Sequence, residues 1–241
     1  MALIIRIDVD RPYGKQGLVR HVASRISSDY FLPPMEWLRY LDELKTILRI
    51  LSANRRQAYV FFRKCTYPSP EVFELMREGN HQFGLHLENS RTAVTFHEEL
   101  DSLERELGFS VTAFSKHGSG RRRLGRHHYA PYEPERYLPW ARQAGMTHFF
   151  GNLEDPELRP VEEGGLLYFP SAFWLEPHWR DKKKFPIEWL LQEAKLRDVV
   201  ILLHADNVTS DPEIMREFLM TVETLDSVIL PERPVEAAPA R

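Results

Sequence analysis

Five ionisable side chains stand where strand-like runs of this sequence end. They are Asp8 and Asp10 in Ile7-Asp8-Val9-Asp10, His86 after Gly84-Leu85, His117 in Ser115-Lys116-His117-Gly118, and His204 after Leu202-Leu203. Asp8 and Asp10 are two apart, so on a strand both carboxylates point to one face. Two carboxylates that close repel when both are ionised, and a metal ion or a shared proton is the usual way to hold them. Imidazoles converging from neighbouring strand ends would complete an open, zinc-like site of nitrogen and oxygen ligands. Taken singly, such an Asp can merely cap the next helix and such a His can be an ordinary loop residue. Two Asp and three His over four strand ends argue for a joint site.

The elements that must position them alternate. Ala2 to Val9, Gln57 to Phe62, Phe83 to Leu87, Val111 to Ser115, Thr147 to Phe150, Leu166 to Phe169 and Val199 to Leu203 read as strands. Between them fall helical patterns: a segment opened by Pro33 and Pro34 that runs through Trp37, Leu41, Leu44, Leu48 and Leu51, then Ser69 to Gly79, Glu98 to Leu107, Pro134 to Ala144, Ile187 to Leu196 and Pro212 to Leu225. Alternation of this kind predicts βαβ units, a parallel sheet and right-handed crossovers. An open doubly wound sheet and an incomplete β/α barrel both satisfy it, and both put chemistry at the C-terminal ends of the strands. The stretch from Gly151 to Pro186 shows little regular structure beyond Leu166 to Phe169.

Composition narrows the function. The 241 residues are 43% hydrophobic and 28% charged, which is globular, and a chain of that length buries a sizeable core as one domain. A formal charge of −3 gives no global basic field for nucleic acid. One cysteine, Cys65, fits a reducing compartment, and Arg6, Asp8 and Asp10 interrupt the place of a signal peptide's apolar core, so the expected location is cytoplasmic. No apolar run approaches the roughly 20 residues of a membrane span. No G-x-G-x-x-G follows a strand and no Walker sequence occurs, which argues against a nucleotide cofactor.

From about Ile4 to Leu225 the chain resembles the polysaccharide deacetylases, carbohydrate esterase family 4. Ile-Asp-Val-Asp at 7–10 is similar to the family's first motif, in which one Asp is the catalytic base and the next a metal ligand. Phe83 to Ser90 (FGLHLENS) resembles the motif that begins with a ligand histidine, Ala58 to Phe62 resembles the second strand, and Leu202-Leu203-His204 resembles the strand bearing the general-acid histidine. The resemblance implies a distorted barrel of about seven parallel strands over residues 1–230, and the three prolines and small residues of 231–241 read as a flexible tail. It implies a divalent ion, zinc by preference, with Asp8 as base, His204 as acid, and Asp10 and His86 as ligands. Two departures stand out. Ser90 occupies the position of the family's second ligand histidine, and Lys116-His117-Gly118-Ser119-Gly120 replaces its Arg-x-Pro-Tyr motif. We therefore expect His117 as third ligand, with Glu88 and Asn89 as rivals.

The function expected on these grounds is hydrolysis of an N-acyl group, acetyl by preference, from an amino sugar or a sugar precursor of glycan biosynthesis. Two alternatives are a hydrolase of another C–N bond (a formamide, cyclic imide or ureide) and a metal-free, carbohydrate-binding pseudoenzyme. Arg121, Arg122, Arg123, Arg126, His127 and His128 form a basic run after His117, in which Arg122 and Arg123 suit a phosphate or uronate, while Tyr132 could stack on a sugar face. The same run can equally be a solvated loop, and the aromatics core packing. His81, at the opposite end of its strand, is expected to be structural, and no role is assigned to His21, His97, His148 or His178.

Overall fold

The structure, a computed structural model, describes residues 3–118, 120 and 122–231. The tail expected from 231 onward lies outside the described residues, apart from Pro231, as do Ser119 and Arg121. The strands are β1 (Leu3–Val9), β2 (Ala58–Phe62), β3 (Gln82–Leu87), β4 (Ala113–Lys116), β5 (His148–Leu153), β6 (Val161–Glu163), β7 (Leu166–Ser171), β8 (Phe173–Trp174) and β9 (Val199–His204). They form one sheet in the order β6-β7-β5-β4-β3-β2-β1-β9-β8, parallel at every pairing except β6 with β7.

The sheet is curled into an incomplete barrel. Only Ala172 separates β7 from β8, yet β7 pairs with β5 and β8 pairs with β9, so the chain itself crosses the gap between the two ends of the sheet. Aromatic rings meet inside: Tyr59 of β2 lies 4.9 Å from Phe150 of β5, a strand that is not its neighbour, and Phe150 lies 5.2 Å from Phe169 on the adjacent β7. Ile4, Val200, Leu202 and Trp174 complete this inner cluster. Gly84 on β3 leaves room for it, since a side chain there would collide with the Phe61 ring.

Helices cover the outside: α1 (Leu18–Tyr30), α2 (Asp42–Ala53), α3 (Pro70–Glu78), α4 (Ala93–Leu107), α5 (Pro134–Gln143), α6 (Ile187–Glu193), α7 (Ala205–Ser210) and α8 (Pro212–Thr224). Leu3, Ile5, Ile7 and Val9 face outward and pack in one core with Leu44, Leu48, Leu51, Leu103, Phe218 and Val222. Ser69 accepts a hydrogen bond from Val72 N and Pro70 follows it, so α3 starts as its sequence indicates. None of the helices, among the described residues, is long and apolar enough to cross a membrane.

Three expectations need correction. The segment opened by Pro33 and Pro34 is not one helix: a 3-10 turn spans Glu36–Leu38, and α2 begins only at Asp42 because Arg39 and Leu41 take left-handed backbone angles (φ 61° and 56°). Helices α1 and α7 were not expected. The sheet has nine strands rather than about seven, the additions being the short β6 and β8 in the stretch that read as irregular.

Candidate functional site

Period-two alternation builds the site. Along β1 the inward side chains run Ile4, Arg6, Asp8 and then Asp10 beyond its end, so the barrel interior changes from apolar to ionic towards the C-terminal ends of the strands. The same change occurs from Gly84 to His86 and Glu88 along β3, from Ala113 to Ser115 and His117 along β4, and from Leu202 to His204 along β9. Parallel register sets Asp8 beside His204 and His86 beside Ser115.

The predicted residues meet. Asp10 Oδ1 lies 3.1 Å from His86 Nε2 and 2.9 Å from His117 Nδ1, and the two ring nitrogens lie 3.1 Å apart. These three residues form a group able to offer one donor atom each to a metal ion. The rivals stand elsewhere. Glu88 Oε1 accepts a 2.6 Å bond from Arg63, and Asn89 caps Arg91 N with its side-chain oxygen.

Hydrogen-bond partners assign the ring protons. Ser115 Oγ donates to Asp8 Oδ1 at 3.3 Å and so accepts at 2.7 Å from His86 Nδ1–H. His86 Nε2 then presents a lone pair to a carboxylate oxygen 3.1 Å away, and two facing acceptors require a cation or a second ring proton between them. At separations of 2.9–3.1 Å the three donor atoms are near enough to one another to serve one ion. The donor set thus fits a first-row divalent ion. One contact opposes it: Arg63 Nη1, which can only donate, lies 3.0 Å from His117 Nε2. A neutral His117 then carries its proton on Nδ1, the atom it would offer the ion. Burial, with Arg63 adding to it, pushes this imidazole down to about 3 against the pull of Asp10, so it is neutral.

Asp8 is buried beneath the cluster, and Arg6 grips both its oxygens, Nε at 2.9 Å from Oδ1 and Nη2 at 2.6 Å from Oδ2. Burial alone would raise this carboxyl, but Arg6, then His86 and His204, outweigh it and hold it below the usual range. Arg6 also donates to Phe150 O, Gly151 O and Asn152 Oδ1, which ties β1 to β5 across the barrel. His204 Nε2 lies 3.6 Å from Asp10 Oδ2, and its Nδ1 lies 2.8 Å from Glu176 Oε1. Burial opposes a charge on His204, yet Glu176 and then Asp10 push its imidazole up to about 10, so it is a cation with one proton aimed at the cluster.

Sequence reasoning missed Arg6, Arg63, Ser115 and Glu176. Arg6 had a signal, the same alternation that pairs Asp8 with Asp10. Two further groups, half-buried Glu99 and buried Lys116, fix the loops: Glu99 accepts from the backbone N–H of Glu88 and Asn89, and Lys116 donates to the carbonyls of His117 and Tyr129 at 2.7 and 3.0 Å.

No hydrogen bond or ion pair joins Arg122, Arg123 or Tyr132 to the cluster among the described residues. Arg122 is exposed. Arg123 folds onto the carbonyls of Gly125 and Arg126. Tyr132, half-buried, takes Asn152 N–H at 3.2 Å and lies 3.2 Å from the Tyr168 hydroxyl. His128 supports the cluster from behind: it accepts from Leu124 N and so donates from Nε2 to His117 O at 2.8 Å. His81 accepts a bond from Ala58 N at the far end of the sheet, in keeping with a structural role.

No family model and no curated protein matches the chain. Among solved structures, an allantoinase superposes with a TM-score of 0.56 at 12% identity, over 92% of this chain and 83% of its own. A carbohydrate esterase family 4 pseudoenzyme from Bacillus anthracis gives 0.45 at 11% identity, and a family 4 domain of a xylanase from a termite hindgut metagenome gives 0.43 at 11%. The chain shares the fold of that allantoinase, a curled and mostly parallel α/β sheet. It spans 91% of its own length but only 61% of the Bacillus pseudoenzyme, and 94% of its own length against 86% of the xylanase domain. At such identities the likeness speaks for the fold alone. Within this fold the Asp10 cluster lies at the C-terminal strand ends.

Proposed function

We propose that the chain is a metal-dependent hydrolase that removes an N-acyl group, acetyl in the first instance, from an amino sugar or sugar precursor. The observation that carries the reading is the meeting of Asp10, His86 and His117 donor atoms within 3.1 Å, with a charged His204 3.6 Å from Asp10. Asp10, His86 and His117 would hold the ion, zinc by preference. Such an ion, when bound, supplies Lewis acidity that polarises the scissile carbonyl and makes a water acidic near neutral pH.

The remaining steps belong to side chains. Asp8, kept ionised by Arg6, is the proton acceptor for the attacking water; taking that proton loosens the Arg6 fork, so Asp8 is a weak base whose strength Arg6 sets. His204 delivers its Nε2 proton to the leaving nitrogen, and Glu176 holds its Nδ1 so that the proton stays on the side of the cluster. Without that proton an amine leaves as its anion, and amide cleavage stalls. Arg122 and Arg123 are proposed to meet a phosphate or carboxylate of the substrate, and Tyr132 a sugar face.

The test is acetate release from N-acetyl amino sugars by zinc-loaded protein, with His204→Ala beside the native chain. The expected result is turnover by the native chain and a loss of 10²–10⁴-fold in His204→Ala with metal content unchanged. Metal loss in that variant, or equal turnover, contradicts the assignment. The second reading is hydrolysis of a ureide or cyclic imide, favoured by the superposition with an allantoinase. Consumption of such a ring without release of acetate would select it.

A further inference from the structure

We propose that α1 and the loop over 122–128 form a docking face for an anionic lipid surface. A surface helix of a globular protein turns its apolar stripe to the core. Here α1 does the reverse. Leu18, Val19, Val22, Ile26 and Tyr30 are 80%, 65%, 44%, 43% and 65% exposed, while Ala23, Ser24, Ser27 and Ser28 are buried. Leu18, Val22, Ile26 and Tyr30 recur every four residues and so share one face of the helix. The orientation is fixed from within. Ser24 Oγ accepts from Tyr13 N at 3.1 Å and donates to Gly14 O at 2.9 Å. Rotating the apolar stripe inward would break both bonds and bring the serines out.

The loop is moored along the same helix. Arg25 donates to Leu124 O at 2.6 Å, Arg126 N donates to Asp29 Oδ1 at 2.6 Å, and the Arg126 guanidinium lies 5.7 Å from the centre of the Tyr30 ring. Leu124, 43% exposed, adds to the apolar surface. Arg20 is paired with Glu43, which leaves Arg25, Arg122, Arg123 and Arg126 against one acid, Asp29, over segments 18–30 and 122–128, in a chain whose net charge is −3. The positive charge is therefore local. An apolar helical ridge with guanidinium groups at its edge is the pattern of a helix that lies in a bilayer interface, its apolar side chains among the acyl chains and its arginines on lipid phosphates. That charge complement selects an anionic lipid surface as the occupant over a second copy of an acidic chain.

Helix α1 follows Asp10 through a short loop, so docking would set the ligand cluster beside the bilayer. A lipid-carried substrate for that cluster is a consequence that rests on the hydrolase reading; docking itself does not.

The experiment is co-sedimentation of the full chain with vesicles of phosphatidylcholine alone and of phosphatidylcholine with phosphatidylglycerol, at several salt concentrations. The expected result is binding to the anionic vesicles that salt weakens, with little binding to the neutral ones. Val22→Glu/Ile26→Glu should abolish it with an unchanged circular dichroism spectrum, and Arg122→Ala/Arg126→Ala should weaken it roughly thirtyfold, at about fivefold per arginine. Absence of binding to anionic vesicles, or native binding by Val22→Glu/Ile26→Glu, overturns the proposal. So does a dimer in sedimentation equilibrium that Val22→Glu/Ile26→Glu dissociates, because the face would then belong to a second copy of the chain.

Discussion

Arg63→Gln tests how metal and protein compete for His117. In the native chain the guanidinium donates to His117 Nε2 at 3.0 Å and to Glu88 Oε1 at 2.6 Å, and the residue is buried. An ion on His117 Nδ1 needs the proton moved to Nε2, where it would face another donor. Binding must therefore give up a hydrogen bond from a charged group, worth about 1.5–3 kcal/mol. At 1.4 kcal/mol per decade, that corresponds to roughly 10–100-fold in affinity. Glutamine reverses the relation: its amide oxygen can accept from His117 Nε2–H while its amide N–H donates to Glu88. Metal-bound histidines ordinarily have such an acceptor behind them, and losing one costs ~10–100-fold. We expect the zinc Kd of Arg63→Gln, measured by competition with a chromogenic chelator, to fall by at least tenfold. An unchanged or weaker Kd, in a variant whose thermal transition is native, refutes the tautomer argument. Binding of zinc by neither protein would instead refute the metal centre.

Two predictions concern stability. Arg6→Met strands Asp8 in the barrel interior without its partner, so it should destabilise the fold by about 3–5 kcal/mol, read as a lower urea midpoint; a loss within about 0.5 kcal/mol, no more than an ordinary surface substitution, would show that the pair is not structural. His81 is buried and pushed down to about 4, against 6.5 for the free imidazole. Protons therefore bind the unfolded chain more tightly, and stability should fall as pH drops from about 6.5 to about 4, by about 3 kcal/mol at 1.36 kcal/mol per unit. His81→Gln should lack that portion of the slope in urea melts across the same range, and an identical slope would contradict the assignment.

How much the sequence reveals varies with the kind of residue. Strand ends are legible because β1, β3, β4 and β9 each change from apolar to ionic at alternate positions. That change gave Asp10, His86, His117 and His204, the four residues that the structure brings together. Helix α1 was not legible, because its inward face is alanine and serine and its apolar residues face outward, so no core-facing period exists to read. The break before α2 depends on left-handed angles at Arg39 and Leu41, which neither residue announces. Glu176 was invisible for a topological reason: it reaches His204 only because β8 pairs with β9 after the chain has crossed the barrel gap. Arg63 follows a strand of five buried residues and reads there as a solvent-facing terminus, whereas the curl of the sheet turns it inward onto His117 and Glu88.

Asp10, His86 and His117 are proposed to hold one metal ion. The most direct measurement is metal content per chain by plasma mass spectrometry, on untagged protein dialysed against excess zinc and then against metal-free buffer, with His86→Ala in parallel. Close to one equivalent is expected in the native chain and almost none in His86→Ala. No zinc in the native chain, or equal zinc in both, would contradict that assignment.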